Sequence, residues 1–278
     1  MGLGMAKNLA KSGKSLMVWN RDVSKSEAFA AEFGCEIAAS AKEVIEKCTI
    51  TYSMLSTLEA SDAVFLGENG ALSGISEGKC LIDCATLTAE KMISTGEIVA
   101  SKGGIFLEAP VSGSKGPAEQ GTLIFLCGGD KGLYERIKPD LEAMGKADYF
   151  LGPVGQGSRM KIVVNMVMGS MMNAFSEGLA LADASELPLD DLIQILDLGA
   201  MSNPMFRLKG PKMVAGDHTP NFPLKHQQKD MRFAVELGDQ LGVALPVASA
   251  ANESFKRARP VHGDDDFSAV YETTKKQK

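Results

Sequence analysis

Gly155-Gln156-Gly157-Ser158-Arg159-Met160-Lys161-Ile162-Val163-Val164-Asn165 divides the sequence into two kinds of chain. Before it, short apolar runs alternate with amphipathic segments. After it, apolar residues recur only at helical spacing. Its two glycines punctuate a loop, and no further Gly or Pro appears until Gly169, so a helix is predicted to start after a flexible turn. Lys161 and Asn165, four residues apart, share one face about 6 Å apart along the axis. Ile162, Val163, Val164, Met166, Val167 and Met168 make the segment apolar on nearly every side, the pattern of a buried helix. An unpaired buried ammonium is expensive. Lys161 therefore either extends its charge to the surface or serves chemistry. Asn165 one turn on and a glycine-rich junction just before favour a catalytic lysine. Asn165, Ser170, Asn173, Ser176 and Glu177 interrupt the apolar run well short of the ~20 residues that a membrane span needs. Gly169, Ser170, Ala174 and Gly178 mark places where another element can approach closely.

Upstream, Met1 to Ser12 reads as a helix ended by Gly13, and Ser15 to Trp19 reads as a strand. Helix then strand is the second half of a βαβ unit whose first strand is missing. The alternation continues. Helices are predicted over 24–33, 40–47, 58–65, 88–101 and 133–144. Strands are predicted over 36–38, 49–54, 80–84, 105–109, 122–127 and 149–151. Ser40 and Glu43 form a capping box. This is the pattern of a doubly wound, Rossmann-type α/β sheet. From Gly157 onward no strand is predicted, and helices are expected over 158–185, 189–198, 224–241 and 247–259, with Asp266 opening a last one. The expected division is a dinucleotide-binding domain over 1–154 and an all-α domain over 155–278.

The 278 residues carry a net charge of −6, with 45% hydrophobic and 23% charged residues. That suits a globular protein with a sizeable core. It argues against nucleic acid and anionic membranes as partners. The short Lys275-Lys276-Gln277-Lys278 tail reads as a solvated end. Five cysteines, Cys35, Cys48, Cys80, Cys84 and Cys127, are odd in number and lack C-x-x-C spacing. They read as reduced, small hydrophobes in a reducing compartment. Cys80 and Cys84 stand at strand period and predict one buried face. The sequence thus reads as cytoplasmic, or as organellar if a segment precedes Met1. No metal is expected, because His218 and His262 lack ligand-like company.

In a doubly wound sheet, ligands lie beyond the carboxyl ends of the strands. Asn20-Arg21 follows the strand at 15–19, where an NAD-binding fold usually has an acid for the ribose hydroxyls. Asn20 does not repel a phosphate, and the Arg21 guanidinium fits one bidentately, which favours NADPH over NADH. Met54-Leu55 and Ala85-Thr86 are expected to touch the dinucleotide. In Glu108-Ala109-Pro110-Val111-Ser112-Gly113-Ser114-Lys115-Gly116, the proline lacks an N–H while Ser112 and Gly113 leave donors open. That composition suits a nest for a carboxylate. His226 and Asp230, and Lys225 and Lys229, are one turn apart; a salt-bridged, solvated face is the plain reading, and it is kept for His226.

Four features together resemble the β-hydroxyacid dehydrogenase family: M-G-x-x-M-A-x-N-L at Met1 to Leu9, Asn20-Arg21, Pro110-Val111-Ser112-Gly113, and G-x-G-x-x-x-K-x-x-x-N at Gly155 to Asn165. The segments 169–179 and 223–231 are similar to the plant-type glyoxylate/succinic semialdehyde reductases within it. The resemblance covers the whole chain. It implies that Lys161 is the catalytic acid, supported by Asn165, and that Ser112 and Gly113 hold the substrate carboxylate. It places Phe222 and Asp230 at the active site, and Thr86 and Lys229 against the cofactor. The sequence departs from the family at its start, where only Gly2 remains of G-x-G-x-x-G. Met1 and Gly2 are then the residues expected at the cofactor's pyrophosphate. The implied activity is NADPH-dependent reduction of small aldehyde acids, glyoxylate to glycolate and succinic semialdehyde to 4-hydroxybutyrate, by a homo-oligomer, dimer or tetramer. A 3-hydroxyisobutyrate dehydrogenase-type oxidoreductase and a non-catalytic oligomerisation module are the alternatives.

Overall fold

The computed structural model describes residues 1–275, so the rest of the basic tail lies outside the described residues. Two compact units are present, Met1–Lys161 and a second beginning at Ile162.

The first unit alternates as its sequence pattern requires: α1 (Gly2–Lys11), β1 (Met17–Val18), α2 (Val23–Phe33), β2 (Glu36–Ile37), α3 (Ala41–Lys47), β3 (Ile50–Ser53), α4 (Leu58–Phe65), β4 (Cys80–Asp83), α5 (Ala89–Ser101) and β5 (Ile105–Glu108). There follow β6 (Val111–Ser112), α6 (Lys115–Gln120), β7 (Leu123–Gly129), α7 (Lys131–Arg136), α8 (Lys138–Met144) and β8 (Gly145–Phe150). Side-chain caps set several helix starts, since they satisfy otherwise orphaned N–H groups. Ser40, Thr57, Thr88 and Asp130 accept from the backbone N–H three residues on. The sequence pattern misses β6 and α6 because Pro110, Gly113, Gly116 and Pro117 read as a loop. Its single helix over 133–144 is two helices, meeting at Ile137 just before Pro139, which has no N–H to donate.

The strands lie in two separate sheets. Parallel β1 and β2 form one, and the other runs β3-β4-β5-β7-β6, with β8 also paired to β7. β3, β4 and β5 are parallel, and their ends align as Ser53↔Asp83↔Glu108. Successive side chains of β4 feed opposite faces, as the period of two dictates. Cys80, Ile82 and Cys84 join one core with Leu107, Leu123 and Phe125, while Leu81 joins Ile45, Phe65, Met92 and Phe106 in another. All five cysteines are free thiols.

The second unit is helical. α9 (Gln156–Ala184) runs through the division between the units. It is followed by α10 (Leu189–Leu198), α11 (Pro204–Val214), α12 (Leu224–Leu241), α13 (Pro246–His262) and a 3₁₀ turn at Phe267–Thr273. The sequence pattern misses α11, whose Gly210 and Pro211 hide its period. Asn203 nevertheless caps it by accepting from Phe206 N–H. Met172, Phe175, Leu179, Met231, Phe255 and Tyr271 centre the core of this unit. α9 is not buried on every side: Val163 and Val167 are 45% and 48% exposed, while Ile162, Asn165 and Gly169 face inward. Among the described residues no helix is long and apolar enough to cross a membrane.

The small residues of α9 divide in use. A Cβ on Gly169 would run into the Gln227 amide and the Met231 sulfur, whereas one on Gly178 meets nothing within 4 Å. Gly169→Ala should therefore lower stability by about 1–3 kcal/mol through overpacking. Gly178→Ala should raise it by up to about 1 kcal/mol, because the unfolded chain loses freedom. Thermal denaturation of both variants reads the difference, and equal shifts would contradict the close approach at Gly169.

Candidate active site

The first unit offers three loops at aligned strand ends. Met54 and Leu55 follow β3, Ala85 and Thr86 follow β4, and Ala109-Pro110 follows β5. Met54, Leu55 and Thr86 are half-buried. Asp83 shapes the second loop. It is wholly buried, and its Oδ1 accepts from Ala85 N–H at 3.0 Å and from Ser53 Oγ at 3.3 Å. Those bonds fold the backbone that leads to Thr86. Burial drives the Asp83 carboxyl up to about 6, against the pull of the two donors.

At the start of α1, a Cβ on Gly2 would lie 3.4 Å from Met54 Cβ, so this helix end sits against the β3 loop. No side chain caps α1, which leaves its first N–H groups open to an anion. After β1, Asn20 Nδ2 donates to Asp22 O at 3.0 Å, and exposed Arg21 makes no hydrogen bond or ion pair among the described residues. A backbone N–H cluster and an exposed guanidinium are groups that could hold a phosphate. Ser112 ends β6 and is half-buried; Gly113 is exposed with φ +135°. A side chain on Gly113 would press on Leu123 and Pro117, so glycine is required there both by φ and by space.

Lys161, only 5% exposed, does not extend its charge to solvent. The glycines of the loop before it are required by its geometry. Gly155 adopts φ +100°, and a Cβ on Gly157 would run into the Leu126 carbonyl oxygen. These glycines allow a tight turn and close packing against β7. The helix accordingly starts at Gln156, two residues earlier than the sequence pattern indicates.

In the second unit, α12 buries Gln227, Gln228, Lys229 and Asp230 together. Asn165 Nδ2 donates to Asp230 Oδ2 at 2.6 Å, and Gln227 Nε2 donates to the Asn165 carbonyl at 2.9 Å. The Lys229 ammonium lies 3.0 Å from Asp230 Oδ1 and 5.1 Å from the centre of the Phe233 ring. Asp230 Oδ1 has no aligned hydrogen bond, so the Lys229 contact is one of charge. A buried carboxylate held this way needs its partners, because losing one leaves an uncompensated charge. Lys225 does pair with exposed Asp264. His226, expected on the same solvated face, is instead half-buried, with its ring stacked 6.4 Å from that of Phe222. Burial, and then the Lys229 charge, hold its pKa below the ordinary value.

The backbone at Phe222 is held by Asp266, a residue that carries no functional signal in the sequence. Asp266 Oδ2 accepts from Asn221 N–H at 3.0 Å and Phe222 N–H at 3.2 Å, while Oδ1 accepts from the Lys209 ammonium at 2.7 Å. Lys209 and Asp266 are both buried. The available signal, an Asp before an apolar run, indicated only a helix cap. Asp83 and Glu108 were legible only as strand residues for the same reason, since strand period does not identify a buried carboxylate.

Loops at the carboxyl ends of a doubly wound sheet, open to a dinucleotide, and a buried lysine on the helix that follows are the equipment of a nicotinamide-dependent oxidoreductase. Residues 1–173 match the NAD binding domain of 6-phosphogluconate dehydrogenase, and residues 155–274 match the NAD-binding domain of NADP-dependent 3-hydroxyisobutyrate dehydrogenase. Glyoxylate/succinic semialdehyde reductase 1 of Arabidopsis thaliana is 53% identical over 99% of this chain and 95% of its own length. The chloroplastic reductase 2 of that plant is 46% identical over 100% of this chain and 78% of its length. A crystal structure of 3-hydroxyisobutyrate dehydrogenase from Salmonella typhimurium superposes with a TM-score of 0.89 at 26% identity, over 98% of this chain and 95% of that one. The chain belongs to the 3-hydroxyisobutyrate dehydrogenase family of NAD(P)-binding oxidoreductases.

Asp83 gives a pH test of this geometry. Its folded pKa lies above the ordinary carboxylate value, so the folded state holds the extra proton between about 4 and about 6. Stability should therefore fall as pH rises through that window and level off above it. Asp83→Asn should flatten this part of the profile, a change of about 1–3 kcal/mol. Urea denaturation at pH 4.5 and 7 measures it; an unchanged slope would mean that Asp83 is ionised throughout.

Proposed function

We propose that this protein is an NADPH-dependent reductase of small aldehyde acids, converting glyoxylate to glycolate and succinic semialdehyde to 4-hydroxybutyrate. The observation that carries the reading is Lys161, buried on α9 with Asn165 one turn on. The 53% identity to a reductase named for both substrates supports the choice of substrate.

NADPH, when bound, supplies the hydride that reduces the aldehyde carbon. Met1, Gly2, Asn20, Arg21, Met54, Leu55, Thr86 and Lys229 are the residues assigned to hold it. Arg21 takes the 2′-phosphate, for which a planar, permanently charged fork is well suited. Ser112 and Gly113 hold the substrate carboxylate by hydroxyl and backbone N–H donors. Lys161 gives its Nζ proton to the alkoxide oxygen as that oxygen gains charge. Asn165, tied to Asp230 and Gln227, supports the helix one turn on. Phe222 and Asp230 are the active-site residues from the helical unit. The exposed apolar residues Val163, Val167 and Leu181 of α9 support assembly as a homo-oligomer, dimer or tetramer. The free thiols suit a reducing compartment such as the cytoplasm.

Lys161→Ala should remove nearly all turnover and leave NADPH affinity largely intact, because a positioned general acid is worth on the order of 10²–10⁴-fold in rate. Turnover within a few-fold of wild type would sink the assignment. Arg21→Ala should weaken NADPH binding and leave NADH nearly untouched, since only the 2′-phosphate loses a partner. Fluorescence titration with both cofactors decides this, and equal losses would make Arg21 structural.

A further inference from the structure

Glu108 is a fully buried acid at the end of β5, and the proposed chemistry gives it no role. Its carboxylate is the meeting point of the loop before α9. Oε1 accepts from Gly155 N–H at 2.6 Å and from Gly157 N–H at 2.8 Å. Oε2 accepts from Ser158 Oγ at 2.6 Å and from Ser158 N–H at 3.3 Å. All three backbone partners can only donate, so the site is built for an acceptor at both oxygens. A negative charge there also lies at the positive end of the longest helix in the chain.

The surroundings are shaped around this contact. A Cβ on Gly128 would fall 2.7 Å from Glu108 Oε1 and 3.2 Å from Gly157 N. A Cβ on Gly157 would fall 3.2 Å from the same oxygen. Three glycines, Gly128, Gly155 and Gly157, thus bring backbone up to one carboxylate. Glu108 is itself fixed at a point where β5 pairs with β4 on one side, at Asp83, and with β7 on the other, at Gly128. Lys161 stands four residues after Gly157, one helical turn away. A shift of Gly157 therefore passes to Lys161 through a single turn of helix.

We propose that Glu108 is a positioning residue, whose carboxylate locks the start of α9 to the sheet and so sets where Lys161 presents its proton. The proposal rests on the reading of Lys161 as the acid. Glu108→Gln keeps the shape but removes the charge and puts an NH₂ donor against the Ser158 N–H, which loses its acceptor, while the Ser158 hydroxyl must turn from donor to acceptor. Ser158→Ala removes one of the four bonds and leaves Glu108 in place.

The test measures kcat and KM with glyoxylate, NADPH affinity by fluorescence, melting temperature, and the pH titration of Lys161 by NMR of ¹³C-methylated lysines. Glu108→Gln should lower kcat about 10- to 100-fold, the loss that a misplacement of around 1 Å causes. KM and NADPH affinity should stay within about threefold, and the Lys161 resonance should shift. Ser158→Ala should give a smaller loss of the same kind. In a Lys161→Met background Glu108→Gln should have no further effect on the residual rate. Normal kcat in both single variants, with Lys161→Met inactive, overturns the positioning role and spares the acid. So does a loss of kcat matched by an equal loss of NADPH affinity, which marks a purely structural carboxylate. An active Lys161→Met enzyme overturns the acid assignment itself. If Glu108→Gln does not fold, Ser158→Ala decides alone: wild-type kcat overturns the proposal, and a selective kcat loss sustains it.

Discussion

One buried carboxylate, Glu108, ties the sheet of the first unit to residues 155–158 of that same unit. Glu108 could be expected to destabilise the sheet, since taking an ionised acid out of water costs several kcal/mol. It is tolerated because four donors surround it, one from Gly155 in the loop and three from Gly157 and Ser158 in the first turn of α9, where N–H groups lack helical partners. Its pKa is nonetheless raised, with burial the dominant cause and the donors pulling the other way. Together with Asp83 on the neighbouring strand, it places two buried acids where the loops of the proposed site begin.

The helical unit uses the same device twice more. Asp230 and Asp266 are buried acids, each paired with a lysine and each bound to a group the proposed chemistry needs, Asn165 in one case and the Phe222 backbone in the other. Buried ion pairs are poor sources of net stability, because the loss of water nearly offsets the attraction. Their value is directional. A carboxylate that accepts from several fixed donors leaves the attached backbone one arrangement, whereas apolar contacts permit many.

Much of this was legible in the sequence, and the reasons are physical. Periods of 2 and 3.6 report which face is buried, so Cys80-Leu81-Ile82-Asp83 and the helix at 224–241 could be read directly. Lys161 and Asn165 stood out because polar residues among apolar ones are informative, and Ser112 and Gly113 because a turn rich in Pro, Gly and Ser leaves donors open. What could not be read depends on pairings between distant residues. Nothing near Glu108 in sequence indicates that residues 155–158 will supply its donors, nor anything near Phe222 that Asp266 will hold it. α11 was hidden by Gly210 and Pro211, and the exposed side of α9 by a run of apolar residues that periodicity alone cannot orient.

The Asp266 contact also bears on the order in which the protein can mature during synthesis. Lys209, Asn221 and Phe222 leave the ribosome 44 to 57 residues before the acid that satisfies them. Until Asp266 emerges, a buried ammonium lacks its counter-charge and two N–H groups lack their acceptor, so that corner of the helical unit stays open to water. A nascent chain stopped short of residue 266 can form the sheet of the first unit, whose contacts are complete by then. It cannot set the Phe222 loop. Competence of that loop is thereby tied to the translation of residues well beyond it.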